Sequence, residues 1–395
     1  MSDGYKILEK DLLDDFLAMV QIDSPSRDER GMADWLTEKL RSLGCEVEED
    51  NAGATVDGNA GNLRVFLKGN TDADPLLFSA HMDTVEPSRG VDPVVEDGIV
   101  RSKGETILAA DDKAGLACIV QLARLAQAQP DVPRPDLEFS IHICEEVGLL
   151  GAKTVDTSKF RSKVGFVLDD EDVKKVNVGS PGAVRLNYTV FGKASHAGVA
   201  PEKGISALKV AAEVLAKMNF GRIDDETTAN VGRIEGGTAS NVVTEKVTMK
   251  AEARSHNPDK LKAQVDHMNA CFEEVCKEWQ QKTKHLWEGT DEGPLPSWKL
   301  DQADDYAPVK FSEDDYAVKL PMAAGKTLGW DMATKISGGG TDGSILTHEG
   351  IPCVVLGVGM RDIHSTKENI AVSDLNDAAR LMSAIVTMHA NSGVA

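Results

Sequence analysis

Four short, mainly apolar runs in this chain, residues 75–80, 137–143, 164–168 and 352–358, each stop at or shortly before side chains able to ligate a metal. The first ends in His81-Met-Asp83, the second in Glu145-Glu146 and the third in Asp169-Asp170; His364 follows the fourth within a few residues. Helical patterns separate these runs: apolar residues recur at helical spacing over 7–20 and 32–43, and an Ala- and Leu-rich helix is predicted over 114–129, closed by Pro130. Strands alternating with helices build a mostly parallel sheet covered on both faces. Ligands of open α/β sheets bind outside the carboxyl ends of the strands, so four such endings predict one site.

The rhythm changes in the middle of the chain. Val184, Leu186, Tyr188 and Val190 alternate as in a half-buried strand over 183–191, followed by a helix over 205–218. Strands over 229–234 and 242–253 and a long helix from 260 to about 281 come next. The order strand–helix–strand–strand–helix is that of a small α+β, ferredoxin-like sandwich inserted into the first sheet's domain. The expected organisation is therefore a catalytic α/β domain of residues 1–181 and 311–395, with a mostly parallel or mixed sheet flanked by helices, and an inserted domain of residues 182–310. The polar stretch 284–315 gives no pattern that assigns it.

A formal net charge of −21 repels nucleic acid and anionic membrane alike, so neither is expected as a partner. No apolar run approaches the roughly 18–20 residues of a membrane span, and the charged residues Asp3, Lys6, Glu9, Lys10 and Asp11 leave no room for a signal-peptide core. Cys45, Cys118, Cys144, Cys271, Cys276 and Cys353 sit in apolar surroundings without CxxC spacing, which predicts buried, reduced thiols. A cytoplasmic location is the expectation that follows.

Two adjacent glutamates at the end of a buried strand are costly unless a positive charge stands between them. A divalent metal would supply that charge, with one carboxylate ligating and its neighbour moving a proton. His81 and Asp83 are two apart on an extended segment and share a face, so Asp83 can accept from the imidazole nitrogen that is not on the metal. A satisfied histidine beside a turn aspartate is the plain alternative for that pair taken alone. Asp111 and Asp112 open the Ala-rich helix, where acids are ordinarily caps favoured by the macrodipole. Sunk after an apolar lead-in, they also suit a carboxylate bridging two metals. His81, Asp111, one of the two glutamates, Asp169 and His364 then make a ligand set for two divalent ions about 3.5–4 Å apart. Imidazole and carboxylate without thiolate suit zinc first, then cobalt or manganese.

These segments together resemble the co-catalytic zinc peptidase family that includes peptidase T, glutamate carboxypeptidase and succinyl-diaminopimelate desuccinylase. The likeness rests on Ser79-Ala-His-Met-Asp-Thr-Val, Ala110-Asp-Asp-Lys-Ala-Gly, Glu145-Glu-Val-Gly-Leu-Leu-Gly-Ala, Leu168-Asp, Ala194-Ser-His-Ala-Gly, Gly338-Gly-Gly-Thr-Asp-Gly and His364-Ser-Thr-Lys-Glu, in that order over nearly the whole chain. Among the members it looks most like peptidase T and its relatives. The resemblance implies that His81, Asp111 and Asp169 hold one metal and that Asp111, Glu146 and His364 hold the other. It makes Glu145 the general base and Asp83 the residue that orients His81, and it implies a cis peptide between Asp111 and Asp112. The run Leu168-Asp-Asp-Glu-Asp172 departs from the Leu-Asp-Gly common in relatives and leaves Asp170 as a rival to Asp169, which the alignment of the preceding strand favours. In the inserted domain His196 matches a histidine that supports the developing oxyanion, in many relatives across a subunit boundary. Asn241 and Arg254 match positions that contact the substrate backbone or carboxylate; an ordinary surface arginine ending a strand is the other reading of Arg254. The implied activity is a tripeptidase-like aminopeptidase on short peptides. A carboxypeptidase or N-acyl amino-acid amidohydrolase of the same chemistry, and a silent metal- or peptide-binding relative, are the alternatives. Pairing with a second copy through the inserted domain stays open at this point.

Overall fold

The computed structural model of the chain describes residues 4–291 and 293–392. Two compact units emerge, residues 1–180 with 310–395 and residues 181–309.

The larger unit is built on an eight-stranded mixed sheet, in the order Glu46–Glu49, Leu63–Leu67, Leu137–His142, Leu76–His81, Gly165–Asp170, Cys353–Gly357, Lys175–Asn177, Ala333–Lys335. Its four middle strands, the four runs singled out in the sequence, are mutually parallel, so their carboxyl ends share one edge. Alternate residues of these strands feed two cores, because successive side chains leave opposite faces. Leu76, Phe78, Phe166 and Leu168 join the main core, whereas Leu77, Val167, Cys353 and Val355 join a smaller one with Leu346 and Ile351. Burial on both faces is why these strands read as runs and not as alternation. Phe78 faces Phe139 and Phe166 on its two neighbours in register, with ring centroids 6.5 and 5.5 Å away.

The helix Ala110–Ala128 lies against this sheet and is buried from residue 110 through 123. Helices Glu9–Val20 and Val372–Asn391 pack on it in turn. Gly115 permits the approach: a Cβ there would stand 2.4 Å from Asp112 Oδ1 and 2.6 Å from the Leu168 carbonyl oxygen. A methyl group cannot be accommodated at such distances without moving the strand end. The helix begins four residues earlier than its composition predicts, with Asp111 and Asp112 in non-helical geometry and a cis peptide between them.

The second unit is an antiparallel five-stranded sheet, in the order Gly221–Arg222, Thr227–Gly236, Lys246–Ser255, Gly182–Phe191, Ser297–Tyr306. Helices Ala207–Lys217 and Pro258–Thr283 supply Val210, Val214, Val265, Met268 and Phe272 to a core shared with Val184, Leu186, Tyr188 and Val190. The Tyr188 ring stacks on Phe272 at 4.1 Å, and its hydroxyl donates to Asn269 Oδ1 at 2.8 Å. Ser297–Tyr306 is the element that the sequence left unassigned. It is an edge strand with mostly exposed or half-exposed side chains, so it carries no apolar alternation. A small four-stranded sheet of Met360–Arg361, Asn369–Ala371, Ile99–Ser102 and Pro93–Glu96 was likewise not legible, its strands being two to four residues long. All six cysteines are buried and free. Among the described residues no helix is long and apolar enough to cross a membrane.

Candidate metal centre

The shared strand edge gathers the candidate ligands. His81 closes its strand, Asp169 lies one residue before the end of Gly165–Asp170, Asp111 opens the buried helix, and His364 sits in the connection between the small strands Met360–Arg361 and Asn369–Ala371. Three overlapping groups, each with its donor atoms within 4.8 Å of one another, are His81/Asp111/Asp169, Asp111/Glu146/His364 and His81/Glu145/Glu146. Asp111 joins the first two. Its Oδ1 stands 3.1 Å from His81 Nε2 and its Oδ2 stands 3.2 Å from His364 Nε2, which also meets Glu146 Oε1 at 2.9 Å. Asp169 enters this cluster, whereas Asp170 pairs with Lys335 and accepts from Asn177 Nδ2 at 3.4 Å.

Glu145 and Glu146 lie beyond the end of their strand, in a turn, so strand alternation does not separate them; both reach the group around His81. Asp83 has a larger part than the histidine alone requires. His81 Nδ1 is 2.9 Å from the Asp83 main-chain oxygen and 3.4 Å from its Oδ1. That carboxylate also accepts the Glu145 amide at 2.8 Å, the Glu146 amide at 3.2 Å and the Ser26 hydroxyl at 2.6 Å. Asp112 clamps helix to strand by accepting the amides of Gly115 at 3.0 Å and His81 at 3.3 Å. Glu368, buried behind Asp111, accepts the amides of Ala109 at 2.8 Å and Asp111 at 3.0 Å. His142, fully buried next to the site's strand ends, bonds Asp342 Oδ2 at 2.7 Å and Ser140 Oγ at 2.7 Å. Sequence reasoning did not single out Glu368, His142 or Asp342. Glu368 and Asp342 fall within motifs read there, but their partners lie 200 or more residues away.

The electrostatics show what the cluster lacks. Burial pushes the carboxyls of Asp112, Glu145 and Asp169 well above their ordinary range, and the neighbouring acids push Glu145 and Asp169 the same way. Burial also raises Glu146 and takes Glu368 to about 7. For Asp111 burial is outweighed by hydrogen bonds from His364 and His81, which hold it well below the usual carboxylate range. His364 rises to about 10 through its bonds to Asp111 and Glu146; His81 is raised against the pull of burial by Asp111 and Asp83. The imidazoles of His81 and His364 thus stand against the five crowded carboxyls of Asp111, Asp112, Glu145, Glu146 and Asp169. Divalent cations would relieve that crowding, and the donors are the nitrogen and oxygen set that holds them. No thiolate intrudes, because the Cys144 thiol donates to Glu29 Oε1 at 3.3 Å.

In the second unit His196 and Asn241 come close along the backbone: His196 forms an isolated bridge with Val242, and the Ala197 amide donates to the Asn241 carbonyl at 2.9 Å. Both side chains are exposed. Arg254, on Lys246–Ser255, pairs with Glu252 at 3.1 Å, and its buried Nε has no hydrogen-bond partner among the described residues.

Fold and site together define a two-unit α/β protein with a carboxylate–histidine centre at the carboxyl edge of the parallel strands of its larger unit. The profile of the peptidase dimerisation domain family matches residues 178–280. A relative from Bacillus subtilis, the uncharacterised protein YqjE, is 40% identical over 379 residues, 96% of this chain and 98% of its own. The crystal structure of aminopeptidase PepT from Bacillus cereus superposes with a TM-score of 0.86 at 39% identity, covering 98% of this chain and all of that one. A tripeptidase from Staphylococcus aureus does so at 0.89 and 36%, with the same coverage. The chain belongs to the M20 peptidase family. Within it, this is a PepT-like peptidase.

Proposed function

We propose that this chain is an aminopeptidase that removes residues from short peptides, tripeptides foremost, using two divalent ions, with zinc the first choice. His81, Asp111 and Asp169 would hold one ion and Asp111, Glu146 and His364 the other. The observation that carries this reading is the Asp111 carboxylate, with one oxygen toward His81 and the other toward His364, each within its own group of three donors. When bound, the ions supply Lewis-acid polarisation of the water and of the scissile carbonyl. Glu145 takes the proton of the attacking water and passes it to the leaving amine. In the metal-free chain burial raises its carboxyl above the ordinary range. Asp83 fixes the His81 ring and the backbone under both glutamates.

The inserted unit, residues 182–310, serves in this reading as lid and dimerisation domain of a homodimer; the match to a peptidase dimerisation domain supports it. His196 adds a donor to the oxyanion. Asn241 and Arg254 contact the substrate's backbone or carboxylate. Substrates are suggested by the relatives, whose own names are aminopeptidase PepT and tripeptidase.

A panel of tripeptides with free and acetylated amino termini, N-acyl amino acids and glutamyl conjugates, assayed with metal analysis of the same sample, tests the proposal. Selective cleavage of free-amino tripeptides with two ions per chain is expected. Preference for N-acyl amino acids or glutamyl conjugates would transfer the chain to the amidohydrolase or carboxypeptidase reading. Bound metal without hydrolysis of any of them would mark a silent relative.

A further inference from the structure

The turn that carries Glu145 and Glu146 is held by side chains from three distant segments. Asn62 Oδ1 accepts the Ile143 amide at 3.1 Å, Glu29 Oε1 the Cys144 amide at 3.1 Å, and Asp83 the amides of Glu145 and Glu146 at 2.8 and 3.2 Å. The carbonyls of Ile143, Cys144 and Glu145 accept in turn from Gly151 at 3.1 Å, Leu150 at 3.0 Å and Leu149 at 2.8 Å. Every main-chain group from Ile143 to Glu145 is thereby accounted for. Within this frame Cys144 has φ +52°, a left-handed conformation that non-glycine residues adopt only where their surroundings impose it.

Glu29 is the unexpected member. It is fully buried, just before the helix Arg30–Ser42, where an acid would ordinarily serve as a solvated cap. Its Oε1 accepts the Arg27 amide at 2.9 Å and both the amide and thiol of Cys144, whereas its buried Oε2 has no hydrogen-bond partner among the described residues. An unpartnered buried carboxylate oxygen is destabilising, so the residue is out of place as mere packing. We infer that Glu29 is a positioning residue for the reaction: it holds the Cys144 amide and so fixes where Glu145 and Glu146 point. This rests on the reading of Glu145 as the base and of Glu146 as a ligand.

Reach and charge can be separated. Glu29→Gln keeps the Oε1 acceptor and loses the charge; Glu29→Asp keeps the charge and retracts the oxygens by one methylene. Misplacement of a reacting group by about 1 Å costs roughly a hundredfold in rate. Glu29→Asp is therefore expected to lose roughly ten- to hundredfold in kcat with KM little changed, while Glu29→Gln retains at least about a third of wild-type kcat. In the metal-free protein, hydrogen–deuterium exchange across residues 143–146 should accelerate at least about tenfold in Glu29→Asp and stay slow in Glu29→Gln. Wild-type turnover and exchange in Glu29→Asp would overturn the inference. So would a folded Glu29→Gln that falls as far as Glu29→Asp, because charge and not reach would then matter. If the shortened side chain prevents folding, Glu29→Met, which keeps the length and loses the acceptor, takes its place, and wild-type turnover with slow exchange there would overturn the inference. Glu145→Gln, run beside them, keeps the two questions apart: near-full turnover there refutes the base assignment, while the exchange data still test the hold of Glu29 on Cys144.

Discussion

Glu368 accepts the main-chain amide of Asp111 at 3.0 Å, which fastens the segment carrying His364 to the helix start carrying the shared carboxylate. The contact joins residues 257 apart in the chain and fixes the residue that links the His81/Asp111/Asp169 group to the Asp111/Glu146/His364 group. Glu368→Ala would leave the buried amides of Ala109 and Asp111 without acceptors, a loss of about 1–3 kcal/mol for each. Chemical denaturation should show that drop, with a smaller one for Glu368→Gln, which keeps one acceptor oxygen. Metal affinity should weaken in parallel; a Glu368→Ala protein with wild-type stability and affinity would contradict the assignment.

Glu145→Gln retains the shape of the side chain but cannot accept a proton. Two metals per chain are expected by elemental analysis, with kcat reduced about 10²–10⁴-fold. Retention of near-full activity would remove Glu145 from the mechanism.

Asp111 and His364 should differ in metal stoichiometry. Asp111→Ala deletes the donor common to both proposed ion sites and is expected to leave a protein that retains neither ion after dialysis. His364→Ala deletes a donor from one site, and one ion should remain. Equal stoichiometry in the two variants would show that Asp111 does not bridge.

The pH dependence follows from His364, raised from an ordinary value of 6.5 to about 10 by its hydrogen bonds to Asp111 and Glu146. A pKa higher in the folded than in the unfolded chain means that this contribution to metal-free stability is full below about 6.5 and disappears as pH rises through about 10. Metal binding requires the neutral imidazole, so it must expel the proton. Calorimetric titration of the metal-free protein should therefore show proton release on binding and affinity that climbs between pH 6.5 and 9. The same experiment on His364→Ala should show less of both.

The arrangement of the central sheet was legible because burial on two faces leaves a mark in composition. Residues 75–80 and 164–168 could hardly be anything but interior strands, and their ends pointed to His81 and Asp169. The alternation of Val184, Leu186, Tyr188 and Val190 announced a sheet covered on one face. Ser297–Tyr306 left no such mark, since an edge strand with solvated side chains obeys hydrogen bonding and not hydrophobic periodicity.

The sequence by itself determined the kinds of side chain at the strand ends, and the motif order determined their kinship. Tertiary structure decided how they meet. It turned Asp169 to the centre and Asp170 to Lys335, and placed Glu145 and Glu146 in a turn where both face His81. It also brought Glu29, Asn62 and Glu368 behind the ligands, through contacts that bind one residue's carboxylate or amide oxygen to another's backbone amide. An amide donor is present at every residue except proline, so such a contact selects no partner side chain and leaves no local pattern to read. Only the folded path of the chain determines which acceptor reaches it.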